Sequence, residues 1–343
     1  MKKYVYYLLA VLVVAGFVAC SEDNDFGVER ESQIHIVKSD VLFQAAAGIG
    51  TVEFEATGLV GVETDRDWCT ATVSGNTVNV AVTENGNLEG RSAQLTLRCG
   101  EDAVHVTVQQ TGLVFQLSTG SMIVADSNKA HTLTYKMTSN VPLNFESSAD
   151  WFSVTVEGEH LLVTFKENNT GHARIGNLMY SSNTVSQSLQ VVQYEFDKDI
   201  AGPCLLTFTT AEGELQYLNA VLSETELSIP ALKWSIPVVH DKEKARLVMH
   251  CGQYMGDYSN YKVYNVALGG DYITWSEDVY VNFPIAYDEK KGITYFNLQD
   301  GGSWSYPVEA LWFYAFTGKP SSDTMAGWLF QLYDASIWRY DPQ

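Results

Sequence analysis

A stretch of this chain occurs twice. The segment from Trp68 to Gln110 returns 83 residues later, at Trp151 to Gln193, without a gap. Asp67-Trp68 meets Asp150-Trp151, Thr72-Val73 meets Thr155-Val156, and Gly75 and Val80 meet Gly158 and Val163. Glu84-Asn85, Arg91, Leu95, Val108 and Gln110 likewise meet Glu167-Asn168, Arg174, Leu178, Val191 and Gln193. Twelve identities in register mark a tandem duplication, so the chain divides into two small similar units and a distinct remainder. That division points to a modular protein rather than to a single compact enzyme.

Within each unit the apolar residues alternate with period two. Val78, Val80 and Val82 share one face, as do Leu95, Leu97 and Cys99, and after the turn Gly100-Glu101-Asp102 so do Val104, Val106 and Val108. Half-buried strands read this way, and no window holds a 3.6-residue period over a helical length. About 80 residues of short strands and turns predict a sandwich of immunoglobulin-like size. The fold class is therefore all-β: two tandem immunoglobulin-like β-sandwiches at 34–112 and 113–197, followed by a larger aromatic-rich β-sandwich domain at 198–343, in which two packed sheets are expected.

The repeated residues carry a family resemblance. In the first unit Trp68, Gly75, Val78, Val80, Asn85, Arg91, Leu95, Leu97, Val106, Val108, Gln109, Gln110 and Gly112 follow a pattern that resembles the BACON domain (Bacteroidetes-associated carbohydrate-binding, often N-terminal). The second unit keeps Trp151, Gly158, Val163, Asn168, Arg174, Leu178, Val191 and Gln193, and departs at the closing glycine, where Tyr194-Glu195 stand. The resemblance implies sugar binding. The residues themselves read as scaffold: Trp68 and Trp151 as core plugs, Gln110 with its amide turned inward, and Glu84 with Arg91, like Glu167 with Arg174, pairing across a loop. The two units are then expected to act as spacers.

The N-terminus has the shape of an export signal. Lys2 and Lys3 precede the apolar run Tyr4 to Val14, too short to span a bilayer, and Gly16-Phe17-Val18-Ala19 leads to Cys20. Residues 1–19 resemble a bacterial lipoprotein signal, which makes Cys20 the expected acylated first residue, and Phe17 stands where that family more often has Leu. The tether 20–33 opens with Ser21-Glu22-Asp23-Asn24-Asp25, similar to the acidic tract of surface-exposed lipoproteins of Bacteroidota. This implies an outer-membrane lipid anchor on the cell surface. Loss of the two lysines leaves a net charge of 19 − 41 = −22, which excludes nucleic acid as a partner. Cys69, Cys99, Cys204 and Cys251 have no metal-ligand spacing, and Cys69 and Cys99 align with Phe152 and Ser182, so buried free thiols are expected over bridges. No cofactor or metal is expected.

The remainder, 198–343, holds 25 of the 42 aromatic residues in 146 positions. It has no nucleophile elbow, zinc-binding helix or phosphate loop, so no catalytic residues are assigned. Flat rings stack on the C–H faces of sugars, and binding residues favour loops. Trp304 and Tyr306 come after the turn Gly301-Gly302, Tyr258 and Tyr261 sit in the loop Asp257-Tyr258-Ser259-Asn260-Tyr261, and Trp338 lies near the C-terminus with Tyr340. These are the candidate carbohydrate contacts. Leu311-Trp312-Phe313-Tyr314 and Trp328-Leu329-Phe330 read as core, and Trp234, between two prolines, as packing an edge. The expected function is that of a surface-anchored, non-catalytic protein binding a polysaccharide or oligosaccharide, as components beside outer-membrane uptake complexes do. The alternative is an adhesion or assembly subunit that uses the same aromatics for a protein interface.

Overall fold

The computed structural model describes residues 32–340; the signal segment, Cys20 and the acidic tract to residue 31 lie outside the described residues. The first copy contains β1 (Ile34–Asp40), β2 (Leu42–Phe43), β3 (Gly48–Ala56), β4 (Val60–Thr64), β5 (Cys69–Ser74), β6 (Thr77–Val82), β7 (Arg91–Cys99) and β8 (Asp102–Gln110). The second contains β9 (Phe115–Leu117), β10 (Met122–Ala125), β11 (His131–Ser139), β12 (Asn144–Ser147), β13 (Phe152–Glu157), β14 (His160–Phe165), β15 (Arg174–Ser181) and β16 (Ser186–Gln193). Sheets β1-β3-β6-β5 and β2-β8-β7-β4 face each other in the first copy, and β9-β11-β14-β13 and β10-β16-β15-β12 repeat that order in the second. Only β2–β8 and β10–β16 pair in parallel within these sheets. The alternation holds: Val78, Val80, Val82, Leu95, Leu97 and Val108 fill the first core, and Leu161, Val163, Leu178 and Val191 the second.

The repeated polar residues are spent on the backbone. Gln110 is buried, and its Nε2 donates to the carbonyls of Ala45, Ala46 and Thr83. Its Oε1 accepts from Arg91 Nε at 2.8 Å, while Arg91 Nη2 reaches Thr83 O. The same guanidinium lies 4.3 Å over the half-buried Trp68 ring. The second copy repeats this with Gln193, Arg174, Lys166 O and Trp151, the ring 5.0 Å away. Buried Asn85 and Asn168 each tie two backbone or side-chain acceptors across their loops. Buried polar groups are generally bonded, and these side chains close the end of each sandwich in that way, except that Arg174 reaches both Gln193 and Lys166 through Nη2 and leaves its buried Nε without a partner among the described residues.

One expectation is corrected here. Arg91 does not pair with Glu84, because its guanidinium is already taken by Gln110, Thr83 and Trp68. Glu84 instead crosses to the second copy, where Ser182 Oγ and Thr184 Oγ1 donate to its Oε1. Gly86 permits the approach, since a Cβ there would sit 2.3 Å from Thr184 Oγ1. Ala45, Leu113 and Val141 complete the apolar seam between copies. Glu167 and Arg174 do not pair either: Glu167 is exposed and Arg174 bonds Gln193 and Lys166 O.

Burial alone would raise the Glu84 pKa, but hydroxyl and amide donors from Ser182, Thr184 and Asn183 outweigh it and hold the carboxyl below its ordinary 4.5. A depressed folded-state pKa adds stability that is complete above the unfolded value and lost as pH falls through the folded one. Glu84→Gln, which keeps an acceptor oxygen but not the charge, is expected to weaken the seam by about 1 kcal/mol, the difference between a charged and a neutral hydrogen bond. Amides of the 182–185 turn should lose protection at neutral pH in the variant and, in the unmodified chain, only below pH 4.5, each rate being taken relative to the intrinsic exchange rate at that pH. Exchange that ignores both the substitution and the pH would show that the contact carries no weight.

The last fourteen strands are β17 (Gly202–Thr209), β18 (Leu215–Leu222), β19 (Glu226–Ile229), β20 (Trp234–Pro237), β21 (Val239–Asp241), β22 (Arg246–His250), β23 (Tyr254–Tyr258), β24 (Tyr261–Gly269), β25 (Tyr272–Thr274), β26 (Tyr280–Asp288), β27 (Ile293–Asn297), β28 (Gln299–Asp300), β29 (Ala310–Phe316) and β30 (Met325–Arg339). The strands join in one hydrogen-bonded network that wraps a main core, with a smaller buried cluster beside it. β30 joins the halves. Its first part pairs with β29, and its last part lies between β17 and β27.

The second copy shares that core. Ala173, Val192 and Tyr194 belong to the same apolar cluster as Phe283 and Ile337, together with Phe196 and Ile200 of the π-turn Phe196–Ile200. Tyr194 stands where the copies diverge, and its hydroxyl meets His240 Nε2 at 2.6 Å. Burial pushes the phenol up and the imidazole down, so both stay uncharged at neutral pH. His172 stacks on Tyr287 at 3.9 Å, and Arg339 Nη1 bonds the carbonyls of Gly171 and Lys198.

Candidate functional site

The five aromatic candidates fall in three separate places. Trp304 and Tyr306 do come together, edge to face at 5.2 Å, and Tyr272 of β25 stacks on Tyr306 at 4.5 Å and 29°. Trp304 is half-buried against the main core, while Tyr306 is 39% and Tyr272 55% exposed. The indole thus braces a pair of open phenol rings at one end of the domain. Tyr258 and Tyr261 pair across the β23–β24 hairpin at the other end, both exposed. β24 runs from Tyr261 to Gly269, so at about 3.3 Å per residue the two clusters stand roughly 26 Å apart. One ring platform cannot include both.

Trp338 lies on a third surface. Tyr295 stacks on its ring at 4.6 Å and 14°, and Lys291 Nζ sits 4.5 Å from the ring centre. Those neighbours occupy the ring, which makes Trp338 a poor stacking anchor. Tyr340 beside it is exposed.

Two other tryptophans differ in how they are used. Trp234 lies on β20, the end strand of the network, and its ring is fully buried, edge-on to Phe313 and Phe330, with its Nε1 donating to Asp257 O at 3.1 Å. Trp328 is not core: it is 54% exposed and is the exposed tryptophan of the described residues. The cause is a register slip. Phe313 pairs with Phe330 and faces the core, but Tyr314 pairs with Trp328 rather than with Leu329. A bulge of one residue turns the rest of the strand to the other face, and a second slip lies between Ala315 and Phe316.

That slip completes a surface that loop position and alternation did not reveal. On β24 the residues Val263 and Ala267 face the main core, while Tyr264 and Val266 point to the opposite side, where they too are buried. With Phe316 they anchor a separate cluster that includes Trp275, Trp312, Tyr314 and Met325. Trp312 and Tyr314 stand nearly parallel, 7° apart, along β29. Ring content was visible in the sequence, but its division between two faces depended on register.

The remaining chemistry is sparse. All four cysteines described are free and buried. Burial raises the thiol pKa of Cys204 and Cys251 to about 12, which leaves them unreactive. Among the described residues no group of three His, Cys, Asp or Glu side chains could hold a metal ion. No helix among them is long and apolar enough to cross a membrane.

Residues 59–111 match the family model BACON, described as "Putative binding domain, N-terminal". That match lies within the first copy; the second copy has the same strand order without a match of its own. No curated protein matches the chain. Among solved structures, a three-domain I9–I11 tandem from titin is similar at 9% identity and a TM-score of 0.33, over 78% of this chain and 95% of that one. A GH5 xyloglucanase from Bacteroides ovatus, in complex with a XXXG heptasaccharide, is similar at 19% identity and a TM-score of 0.22, over 27% of this chain and 21% of the enzyme. An endo-fucoidan hydrolase of glycoside hydrolase family 107 is similar at 10% identity and a TM-score of 0.26, over 51% of this chain and 30% of that one. The chain is all-β, with immunoglobulin-like units among its structural neighbours.

Proposed function

We propose that this chain is a non-catalytic glycan-binding protein of the cell surface. In this reading Cys20 carries the acyl anchor in the outer membrane, the tandem copies hold the last domain away from it, and that domain meets a polysaccharide, in company with an outer-membrane uptake complex. The observation that carries the reading is the stacked pair Tyr272–Tyr306, braced by Trp304 and open to solvent. Rings held by packing lose little freedom when a sugar stacks on them, which favours binding. The BACON match is consistent with a carbohydrate partner. The tryptophans, arginines and glutamines that carry the match are committed to closing their own sandwiches, which supports a spacer role for the copies.

A protein interface is the second reading, favoured by Leu215, Tyr217 and Val221, exposed apolar residues on the outward side of β18. Affinity electrophoresis of the chain against a polysaccharide panel separates the two. Glycan binding predicts retardation by at least one polysaccharide, weakened about tenfold by Tyr306→Ala, the loss of roughly one good ring contact. A mobility untouched by every polysaccharide, with oligomers in solution, would favour the adhesion or assembly reading.

A further inference from the structure

The outward face of β23, β24, β29 and the first part of β30 has a row of rings across it. Register aligns Tyr254 with Tyr264, Tyr264 with Tyr314, and Tyr314 with Trp328. Residues opposed in register point to the same side, and strands about 4.8 Å apart make the row about 14 Å long. Its floor is packed: Phe316 and Tyr264 are buried, and Tyr264 and Trp275 stand near edge-on to the Phe316 ring, so the middle of the row offers little more than the rim of Tyr264 and the half-buried Tyr314. Its ends are the more exposed: Tyr254 at one side, with Lys262 Nζ 5.0 Å from its ring centre, and Trp328 at the other, with no cation over its ring among the described residues. Trp328 contacts no other ring among the described residues, though bulges in β30 direct it outward. At 54% exposure about half of the indole faces water and can meet a partner outside the fold.

Charge and area narrow the occupant. The charged residues on these rows are Lys262 and Asp257, 3.9 Å apart and mutually compensating. The rest of the chain brings the total to −20, so an acidic polymer would be repelled and a neutral one would not. The aromatic rows cover on the order of 200 Å², against about 800 Å² for each side of a stable protein interface. Tyr254 Oη, bonded to Asp257, and Gln331 beside Trp312 place polar groups at the rim for hydroxyls.

We infer that this face is a binding platform for an extended, neutral polysaccharide chain lying across the strands from Tyr254 to Trp328. The inference rests on the glycan-binding reading and adds a second contact surface, on the side of β24 opposite to that of the Trp304 cluster. Trp328→Ala in the whole chain tests it, with Trp328→Tyr as the conservative variant and Tyr306→Ala as the comparison. Affinity gels holding neutral or acidic linear polysaccharides should show retardation by a neutral chain that falls about tenfold in Trp328→Ala and largely returns in Trp328→Tyr. The thermal midpoint of Trp328→Ala should stay within a few degrees of the parent, as for an exposed residue. Should the alanine disturb β30, Trp328→Thr, a strand-favouring residue without a ring, takes its place and should show the same tenfold loss. Full retardation in Trp328→Ala with loss in Tyr306→Ala overturns the platform and leaves glycan binding standing. A parent chain retarded by no polysaccharide overturns both. Preference for the acidic polymers, or an oligomer that dissociates on Trp328→Ala, replaces the neutral glycan with another occupant.

Discussion

A chain that begins at residue 198 is expected not to fold. The last domain's core takes Tyr194, Phe196, Ala173 and Val192 from before that point, and the cut would fall inside the π-turn that seats Phe196 and Ile200. Removing one buried aromatic side chain costs about 3–5 kcal/mol, and a domain's whole margin is about 5–15 kcal/mol. Losing two such rings, with Tyr194's bond to His240, takes most of that margin. The fragment 198–343 should show no cooperative melting and no near-ultraviolet dichroism from its rings, whereas 113–343, which keeps the second copy, should show both. A fragment 198–343 that melts within a few degrees of the full chain would refute a shared core.

Trp234→Ala should be the most damaging single substitution in the last domain. The ring is buried between Phe313 and Phe330, and its Nε1 holds the Asp257 carbonyl. A cavity of that size costs about 3–5 kcal/mol, or roughly 10 °C in the thermal midpoint. Urea titration would measure the first and calorimetry the second. Gly256 runs against the same ring, where a Cβ would come within 2.8 Å, so the hairpin bearing Tyr254, Tyr258 and Tyr261 rests on Trp234. The substitution should therefore loosen that hairpin as well, seen as faster hydrogen exchange at 254–261. Trp234→Phe keeps most of the volume but drops the bond to Asp257, and should fall between the two. A loss under 1 kcal/mol in Trp234→Ala would mean that the neighbouring rings close over the gap.

Period two was enough to read the strands, because a half-buried strand cannot hide which side is apolar, and the duplication foretold that two sandwiches would share one strand order. Gln110 turned inward as its parity required. What failed were inferences that needed partners. Arg91 and Glu84 have opposite charge and neighbouring positions, yet each found a better contact, one in its own sandwich and one in the next. Trp328 is two residues from inward-facing Phe330, and simple alternation puts both in the core; the bulge that separates them leaves no mark in composition beyond the nearby Gly327. Loop position brought Trp304 and Tyr306 into view but not Tyr272, their stacking partner, which a neighbouring turn supplies. Tyr194-Glu195, a departure from the repeat, turned out to mark where the second copy merges with the last domain.

The parallel pairing of β2 with β8 and of β10 with β16 decides how each copy bears a pull. In a parallel pair the chain enters and leaves at opposite ends, so tension between the termini slides the strands along each other and strains the whole ladder together, instead of peeling it bond by bond. The ladder has four residue pairs in the second copy and two in the first. On that count alone the parallel ladder of the first copy is expected to yield before that of the second, which is also joined to the last domain through a shared core.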